Sequence, residues 1–293
     1  MKKEKNENEK KIVFRVEDGM NREDILCTTY QMRNFYMQFK DGFFSNLDVM
    51  NYIQHHAVAL MAKKNANVLD VCCGRSLVLP LLRYYSNDIK SYTGVDICES
   101  NINEAKKGAS TKTITPEMLE NGYYPFKTEW ILSDVAVMSE KIKHNSMDLV
   151  IYTSALEHMH KDKGSESLKE CYKVMKDNGL MFLSCPNTPG NGYETQYRAH
   201  VYEWGYDELK DYLEEIGFEI VAEYGLVMKV KKLKEFFASS EVSQDLKDLF
   251  NKCAEYMPSA WLSAFFAIPY PKISDEILFV VKKKDPNESL LLD

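Results

Sequence analysis

Residues suited to proton transfer occur at two places in this chain. Glu157 and His158 are adjacent, and His200 lies in the segment Arg198-Ala-His-Val-Tyr-Glu-Trp204. A histidine with a carboxylate neighbour suits the removal of a proton from a hydroxyl group, because its pKa lies near the working pH. These three side chains are therefore candidates for acid–base chemistry.

A second set of residues has the spacing of a nucleoside site. The segment Asp70-Val-Cys-Cys-Gly-Arg-Ser76 follows a short apolar run, and Asp96 lies 22 residues beyond Gly74. Gly74 lets a ligand approach the backbone, and an acidic residue at about this offset can accept hydrogen bonds from both ribose hydroxyls. A dinucleotide site would also want glycines at positions 72 and 77, where the chain has Cys72 and Leu77. This difference disfavours hydride-transfer enzymes.

Strands and helices must alternate to position these residues. Apolar runs predict strands at 67–71, 91–96, 129–135, 147–155, 180–184, 218–227 and 276–281, and helical spacing predicts helices between them. Asn178-Gly179 is predicted to end one helix in the left-handed conformation, and Gly217 to end the next. This alternation is typical of an α/β fold with a parallel sheet, which binds ligands beyond the carboxyl ends of its strands.

The alternation breaks between residues 229 and 270, where helical spacing around Leu246 precedes an aromatic-rich loop from Tyr256 to Tyr270. We divide the chain into four parts, each defined by its sequence pattern. They are a charged tail and N-terminal lid segment at 1–45, a core at 46–228, a helical insertion or substrate lid at 229–270, and a last core strand with a C-terminal tail at 271–293.

Five segments resemble the motifs of one enzyme family in the right order. Val68-Leu-Asp-Val-Cys-Cys-Gly-Arg-Ser76 resembles motif I, VLDxGxGxG, of the class I S-adenosylmethionine-dependent methyltransferases, with Cys72 and Ser76 in place of the first and third glycines. The other four segments are Tyr92–Asp96, Ser133–Val135, Asp148–His158 and Lys176–Asn187, the last similar to LKPGGxLxLSxPN. The resemblance implies a doubly wound Rossmann-like sheet, mostly parallel with an antiparallel last strand.

The resemblance also implies a site for S-adenosylmethionine. Asp96 would bind the ribose, Asp134 would contact the adenine, and Ile97 and Val135 would pack on the adenine faces. The remaining expected donor-binding residues are Asp70, Cys72, Gly74, Ser76 and Thr153. Each has a plainer alternative, such as a helix cap for Asp134 or ordinary core packing for Val135.

The expected reaction is an in-line displacement at the methyl carbon of the donor. We expect an oxygen acceptor, with Glu157, His158 and His200 as catalytic residues. A small molecule is the favoured acceptor, and RNA is the alternative, because the lysines at 229, 231, 232 and 234 form a short basic cluster. Another alternative is a protein that binds S-adenosylmethionine without turnover. DNA amino methyltransferases carry (D/N)PP(Y/F), which the chain lacks.

A metal site competes with the acid–base interpretation. The small-RNA ribose methyltransferases and the ubiquinone-pathway O-methyltransferases carry ExxEH at this point, and the former add a downstream histidine. The chain has Ser154 where the first carboxylate would stand, followed by Glu157, His158 and His200. Since divalent ions such as Mg²⁺ prefer several oxygen ligands, losing one weakens the site, and we predict no bound metal.

The composition limits the classes of function and the location that this chain can have. The formal net charge of −7 argues against coating nucleic acid by bulk charge, and the apolar runs are too short to span a bilayer. Seven cysteines without a secretory signal suit reduced thiols and a cytoplasmic location. One set of aromatic residues has two possible roles: it lines an apolar acceptor pocket, or it packs the extra segments onto the core. The set comprises Tyr256, Trp261, Phe265 and Phe266, with Tyr30, Phe35 and Tyr36.

Overall fold

A computed structural model describes residues 45–107 and 122–285. Its helices are α1 (Asn46–Met61), α2 (Leu79–Tyr85), α3 (Glu99–Lys106), α4 (Lys161–Val174), α5 (Tyr206–Ile216), α6 (Val230–Ala238), α7 (Gln244–Tyr256) and α8 (Ser259–Ala267). Its strands are β1 (Asn67–Val71), β2 (Ser91–Asp96), β3 (Lys127–Leu132), β4 (Met147–Thr153), β5 (Met175–Pro186), β6 (Phe218–Val227) and β7 (Glu276–Lys283). Short 3₁₀ helices occupy Val135–Glu140, Leu156–His158 and Pro271–Ile273.

The seven strands form one sheet in the order β3-β2-β1-β4-β5-β7-β6. Strands β1 to β5 run parallel to one another, whereas β7 runs antiparallel to both β5 and β6. The order reverses between β1 and β4, so the carboxyl ends of these two strands flank the crevice where such sheets bind ligands. The predicted fold class, a mostly parallel doubly wound sheet with an antiparallel last strand, is therefore confirmed.

Two apolar layers hold helices against the sheet. One face packs Val150, Leu183 and Phe279 against α4 and α5, and the other packs Val68, Ile151 and Leu278 against α1 and α2. Helix α1 begins with a capping box, in which Ser45 and Asp48 satisfy backbone N–H groups that the first turn leaves free. The central strands are buried on both faces because helices cover both sides.

Three sequence expectations about local structure were wrong. Strand β3 ends at Leu132, and Val135 begins a 3₁₀ helix instead of ending a strand, because Asp134 caps it by accepting from the Ala136 N–H. The aromatic-rich segment expected as a loop contains α8, which follows Pro258 and is rich in alanine and other apolar residues.

The third error concerns Asn178-Gly179. Helix α4 ends earlier, at Val174, and both residues lie inside β5. Gly179 is not left-handed; it is needed because a Cβ there would lie 2.9 Å from the Met147 carbonyl oxygen. Gly217 does end α5 in the left-handed conformation, with φ of 110°.

Helices α6, α7 and α8 lie in the predicted insertion and share a small core of their own, which includes Phe237, Phe250 and Phe266. Phe266 is therefore packed inside the insertion, while Tyr256 is mostly exposed. Trp261 packs near Val49 of α1, so the insertion contacts the core through α8. Tyr30, Phe35 and Tyr36 lie outside the described residues. Among the described helices, none has the length and apolar character of a membrane span.

Candidate active site

The turn after β1 has an alternating left-handed backbone. Cys72, Gly74 and Ser76 have φ of 56°, 52° and 59°, and a left-handed conformation costs a non-glycine residue about 1 kcal/mol. Ser76 is fully buried, and its hydroxyl accepts a hydrogen bond of 2.9 Å from the Trp130 indole N–H. The loop thus keeps the shape expected of a three-glycine turn with glycine at only one of the three positions.

Asp96 connects this loop to the end of β2. Its Oδ2 accepts the Gly74 N–H at 2.9 Å and its Oδ1 accepts the Cys98 N–H at 2.7 Å. A carboxylate oxygen can accept more than one hydrogen bond, so both oxygens keep capacity for a ligand. A Cβ on Gly74 would meet no atom within 4 Å, which means that open space lies beside the loop. These residues fit a nucleoside held between the loop and the Asp96 carboxylate.

Asp70 has a different setting from Asp96. It is buried, and the Tyr92 hydroxyl donates a 2.6 Å hydrogen bond to its Oδ2. Burial raises the pKa of Asp70 to about 7, the Tyr92 hydrogen bond opposes that rise, and the Asp96 charge adds to it. Asp70 therefore supports the turn from within through its bond to Tyr92.

The other predicted donor-site residues lie around the same end of the sheet. Asp134 caps the 3₁₀ helix and forms a 2.6 Å ion pair with Lys163, and Val135 is buried in the core. Ile97 is 62% exposed, directly after Asp96, which leaves it free to cover a ligand. Thr153, the last residue of β4, is half-buried. Contacts of Asp134, Ile97, Val135 and Thr153 with adenosine remain predictions.

The fold brings Glu157, His158 and His200 together. One ligand-type atom from each lies within 4.8 Å of the others, and the two imidazole rings are 5.0 Å apart, edge to face. Val201 and Tyr202 donate their backbone N–H groups to the Glu157 carbonyl, so the loop carrying His200 is fixed to the turn carrying Glu157. A divalent cation could be held by these three side chains.

Both histidines have Nδ1 engaged with an acceptor. Nδ1 of His158 lies 3.2 Å from the Ala199 carbonyl oxygen, and Nδ1 of His200 contacts the Glu203 carboxylate. Since these oxygens only accept, each neutral ring carries its proton on Nδ1 and leaves the Nε2 lone pair free. Such a ring is prepared either to accept a proton or to ligate a metal.

Glu203 is a functional candidate that the sequence interpretation missed. It is fully buried, and the Thr188 hydroxyl and the Gln196 N–H, 2.9 Å away, donate to it along with His200. This set of donors fixes the carboxylate and hence the His200 ring. The only available signal was the spacing of three residues between His200 and Glu203 in a tryptophan-containing segment.

Glu157 is buried with an incomplete set of partners. It is 3% exposed, and its Oε2 has no hydrogen-bond partner among the described residues. Burial raises the pKa of Glu157 to about 7, and the nearby Glu203 charge contributes to the rise. Ser154, where the family's ExxEH branches have a carboxylate, receives a 3.2 Å hydrogen bond from Gln54 of α1.

A family model described as a methyltransferase domain matches residues 49–223, which is more than half of the chain. The chain belongs to the class I S-adenosylmethionine-dependent methyltransferases. It is therefore an enzyme that takes its methyl group from S-adenosylmethionine, and the predicted family, cofactor and general methyltransferase activity are confirmed. A comparison with curated proteins finds no match.

Solved structures share the fold of this methyltransferase. A SAM-dependent methyltransferase from Archaeoglobus fulgidus has a TM-score of 0.50 and 19% identity, with 85% of this chain and 99% of that chain covered. A TehB-like SAM-dependent methyltransferase from Corynebacterium glutamicum has a TM-score of 0.50, 16% identity and coverage of 88% and 97%. The small RNA methyltransferase HEN1 has a TM-score of 0.55 and 14% identity, with 83% of this chain and 26% of that protein covered.

Proposed function

We propose that this methyltransferase transfers the methyl group to a hydroxyl oxygen of a small molecule, with His200 as the proton acceptor. The observation that carries the proposal is the contact between His200 Nδ1 and the buried Glu203 carboxylate. That contact directs the Nε2 lone pair away from Glu203 and stabilises the imidazolium that forms when Nε2 takes a proton. His158, whose ring lies edge-on to His200, would orient the acceptor.

The chemistry needs little else from the protein. As the acceptor oxygen bonds to the methyl carbon, the carbon–sulfur bond breaks, its electron pair stays on sulfur, and the hydroxyl proton passes to His200. Asp96 and the Gly74 turn would hold the nucleoside of the donor. The protein then mainly aligns the two reacting atoms at about 3 to 3.5 Å.

The basic cluster gives little support to an RNA acceptor. Lys229 donates to Gln196, Lys232 pairs with Asp275 at 3.3 Å, and Lys231 approaches Glu235 at 3.9 Å. Lysines already paired with acidic or amide groups in this way are weaker phosphate ligands. Their arrangement on and next to α6 supports an interpretation of this cluster as a solvated helix face.

A labelling experiment tests the proposed acceptor class. Tritiated S-adenosylmethionine is incubated with the enzyme and with separate small-molecule, RNA and protein fractions of a lysate. Label in the small-molecule fraction is the expected result. Label confined to RNA or to protein would contradict the proposal. The six described cysteines are free thiols, which supports a reducing compartment such as the cytoplasm as the place of this reaction.

The Glu157–His158–His200 geometry supports a second candidate, metal-assisted methylation of an RNA ribose. Two imidazoles with free Nε2 atoms and a buried carboxylate with an unpartnered oxygen fit a divalent ion. When bound, such an ion would lower the pKa of an acceptor hydroxyl. Loss of activity in EDTA, restored by Mn²⁺ or Mg²⁺ and directed to RNA 3′ ends, would favour this candidate.

A further inference from the structure

Ser154 is a strained residue at the crevice between β1 and β4. It is the first residue after β4 and has a left-handed backbone with φ of 48°. Cys72, the first residue after β1, is also left-handed, with φ of 56°. This conformation is costly for a residue other than glycine, and residues held in it cluster at functional sites. Both strands that flank the ligand crevice therefore end in a strained residue.

A ring of hydrogen bonds holds Ser154 in place. The Ser154 N–H donates to the Ser184 hydroxyl at 3.3 Å, that hydroxyl donates to Oε1 of Gln54 at 2.6 Å, and Nε2 of Gln54 donates to the Ser154 hydroxyl at 3.2 Å. Ser184 of β5 and Gln54 of α1 are fully buried, so water does not compete for these groups. The second Nε2 proton of Gln54 is accepted by Oδ1 of Asn51 at 2.9 Å, which fixes the orientation of the amide.

The direction of this ring leaves one hydroxyl proton unused. Gln54 presents an N–H group to Ser154, so the Ser154 oxygen acts there as an acceptor. A hydroxyl group can also donate one hydrogen bond, and within the part of the chain that the structure describes the Ser154 hydroxyl donates none. Ser154 is only half-buried, unlike its two partners in the ring. The ring therefore presents a fixed hydroxyl donor at the crevice.

Ser154 lies on the same turn as the acid–base residues. Ala155 alone separates it from the 3₁₀ helix Leu156–His158, and the His158 N–H donates to the Ala155 carbonyl oxygen at 3.1 Å. The centroid of the His158 ring is 5.0 Å from that of His200. Because this segment is folded into a turn, its ends are closer than the roughly 13 Å that four extended residues would span. A small molecule whose hydroxyl faces His200 could therefore also reach Ser154.

We propose that the Ser154 hydroxyl donates a hydrogen bond to the acceptor, and that it selects hydroxyl compounds that carry a second oxygen, such as a carbonyl or ether oxygen. This inference rests on the proposed small-molecule O-methylation and adds a requirement on its substrate. An acceptor without the second oxygen would displace water from the Ser154 hydroxyl and leave its proton unpaired, which costs free energy. Gln54 is then a positioning residue, because it fixes the Ser154 oxygen from a buried place behind it.

Gln54 is tested in two backgrounds. Gln54→Met keeps the approximate length of the side chain but removes the group that donates to Ser154. In the wild-type background we expect the amount of a small-molecule lysate extract needed for half-maximal methylation to rise roughly 3- to 10-fold. In Ser154→Gly we expect no further rise, because the hydroxyl that Gln54 orients is already absent. An equal rise in both backgrounds would show that Gln54 acts on the rest of the fold and would overturn its positioning role.

Two substitutions at Ser154 separate the hydroxyl from the strained backbone. Ser154→Ala and Ser154→Gly both remove the hydroxyl, but only glycine relieves the left-handed strain. Methyl-deuterated S-adenosylmethionine is incubated with graded dilutions of the extract, and mass detection follows the labelled product that the wild-type enzyme makes. We expect both variants to need roughly 3- to 10-fold more extract for half-maximal rate. Their affinity for S-adenosylhomocysteine should stay within about twofold, which also reports correct folding.

Asn145→Gly is the matched control, because Asn145 is also left-handed, with φ of 53°, and lies just before β4 begins, at the opposite end of the strand. It should match the wild type. A rise in only one Ser154 variant would assign the effect to the backbone, weaker S-adenosylhomocysteine binding in both would assign Ser154 to the donor, and an unchanged extract requirement would remove Ser154 from the acceptor site. Each of these results, or a labelled product whose exact mass allows a single oxygen, would overturn the inference and leave methyl transfer to a small molecule intact. No labelled product from the wild-type enzyme would contradict the proposed function, and the inference with it.

Discussion

Replacing Asp96 by Ala should weaken binding of S-adenosylhomocysteine strongly. In the structure the Asp96 carboxylate holds the Gly74 and Cys98 N–H groups at 2.9 and 2.7 Å, and it has capacity for two ribose hydroxyls. Each charge-assisted hydrogen bond contributes roughly 1.5 to 3 kcal/mol. Losing two of them corresponds to a rise in Kd of about 10² to 10⁴-fold.

Titration calorimetry with S-adenosylhomocysteine measures this change directly. Asp96→Asn keeps the size of the side chain but removes the charge, so we expect an intermediate loss of affinity. Asp211→Ala, which removes an exposed carboxylate on α5, is the control and should bind normally. An unchanged Kd in Asp96→Ala would refute the ribose role of Asp96, and no binding by the wild-type chain would refute the donor site as a whole.

Three further changes test other parts of the structure. Trp130→Phe removes the donor to the buried Ser76 hydroxyl and should lower the free energy of unfolding in urea by about 1 to 2 kcal/mol. The folded pKa of Glu157, about 7, lies above the usual 4.5, so this group makes the free energy of unfolding fall by about 3 kcal/mol as pH rises from about 4.5 to 7. Glu157→Gln should flatten that pH dependence, measured by thermal melts at several pH values. An unchanged dependence on pH would contradict a buried carboxyl group with a raised pKa. Gly225→Ala would place a Cβ 2.2 Å from the Ala267 carbonyl oxygen and should separate α8 from β6, seen as a destabilisation of more than about 3 kcal/mol.

Local patterns were sufficient to predict the sheet, because its strands are short apolar runs bounded by turn residues. Ser91–Asp96 and Phe218–Val227 begin and end at the predicted residues. The errors occurred where contacts distant in sequence decide local structure. Gly179 has the local signature of a helix end, but the packing of β5 against Met147 requires a glycine there for space.

The candidate site was only partly predictable for the same reason. Glu157 and His158 are adjacent, and His200 was found through a family motif, so their convergence could be expected. The fixed orientation of His200 also depends on Glu203, whose burial cannot be read from a segment of mixed polarity.

The role of His200 is tested most directly by rates of methyl transfer measured in the presence and absence of EDTA. We predict that the wild-type enzyme is equally active in both, and that His200→Ala or His158→Ala lowers turnover by roughly 10² to 10⁴-fold with nearly unchanged affinity for S-adenosylhomocysteine. His144→Ala, which removes an exposed histidine elsewhere, should retain full turnover. Activity that disappears in EDTA and returns with Mg²⁺ or Mn²⁺, or full activity in His200→Ala, would contradict proton transfer to His200.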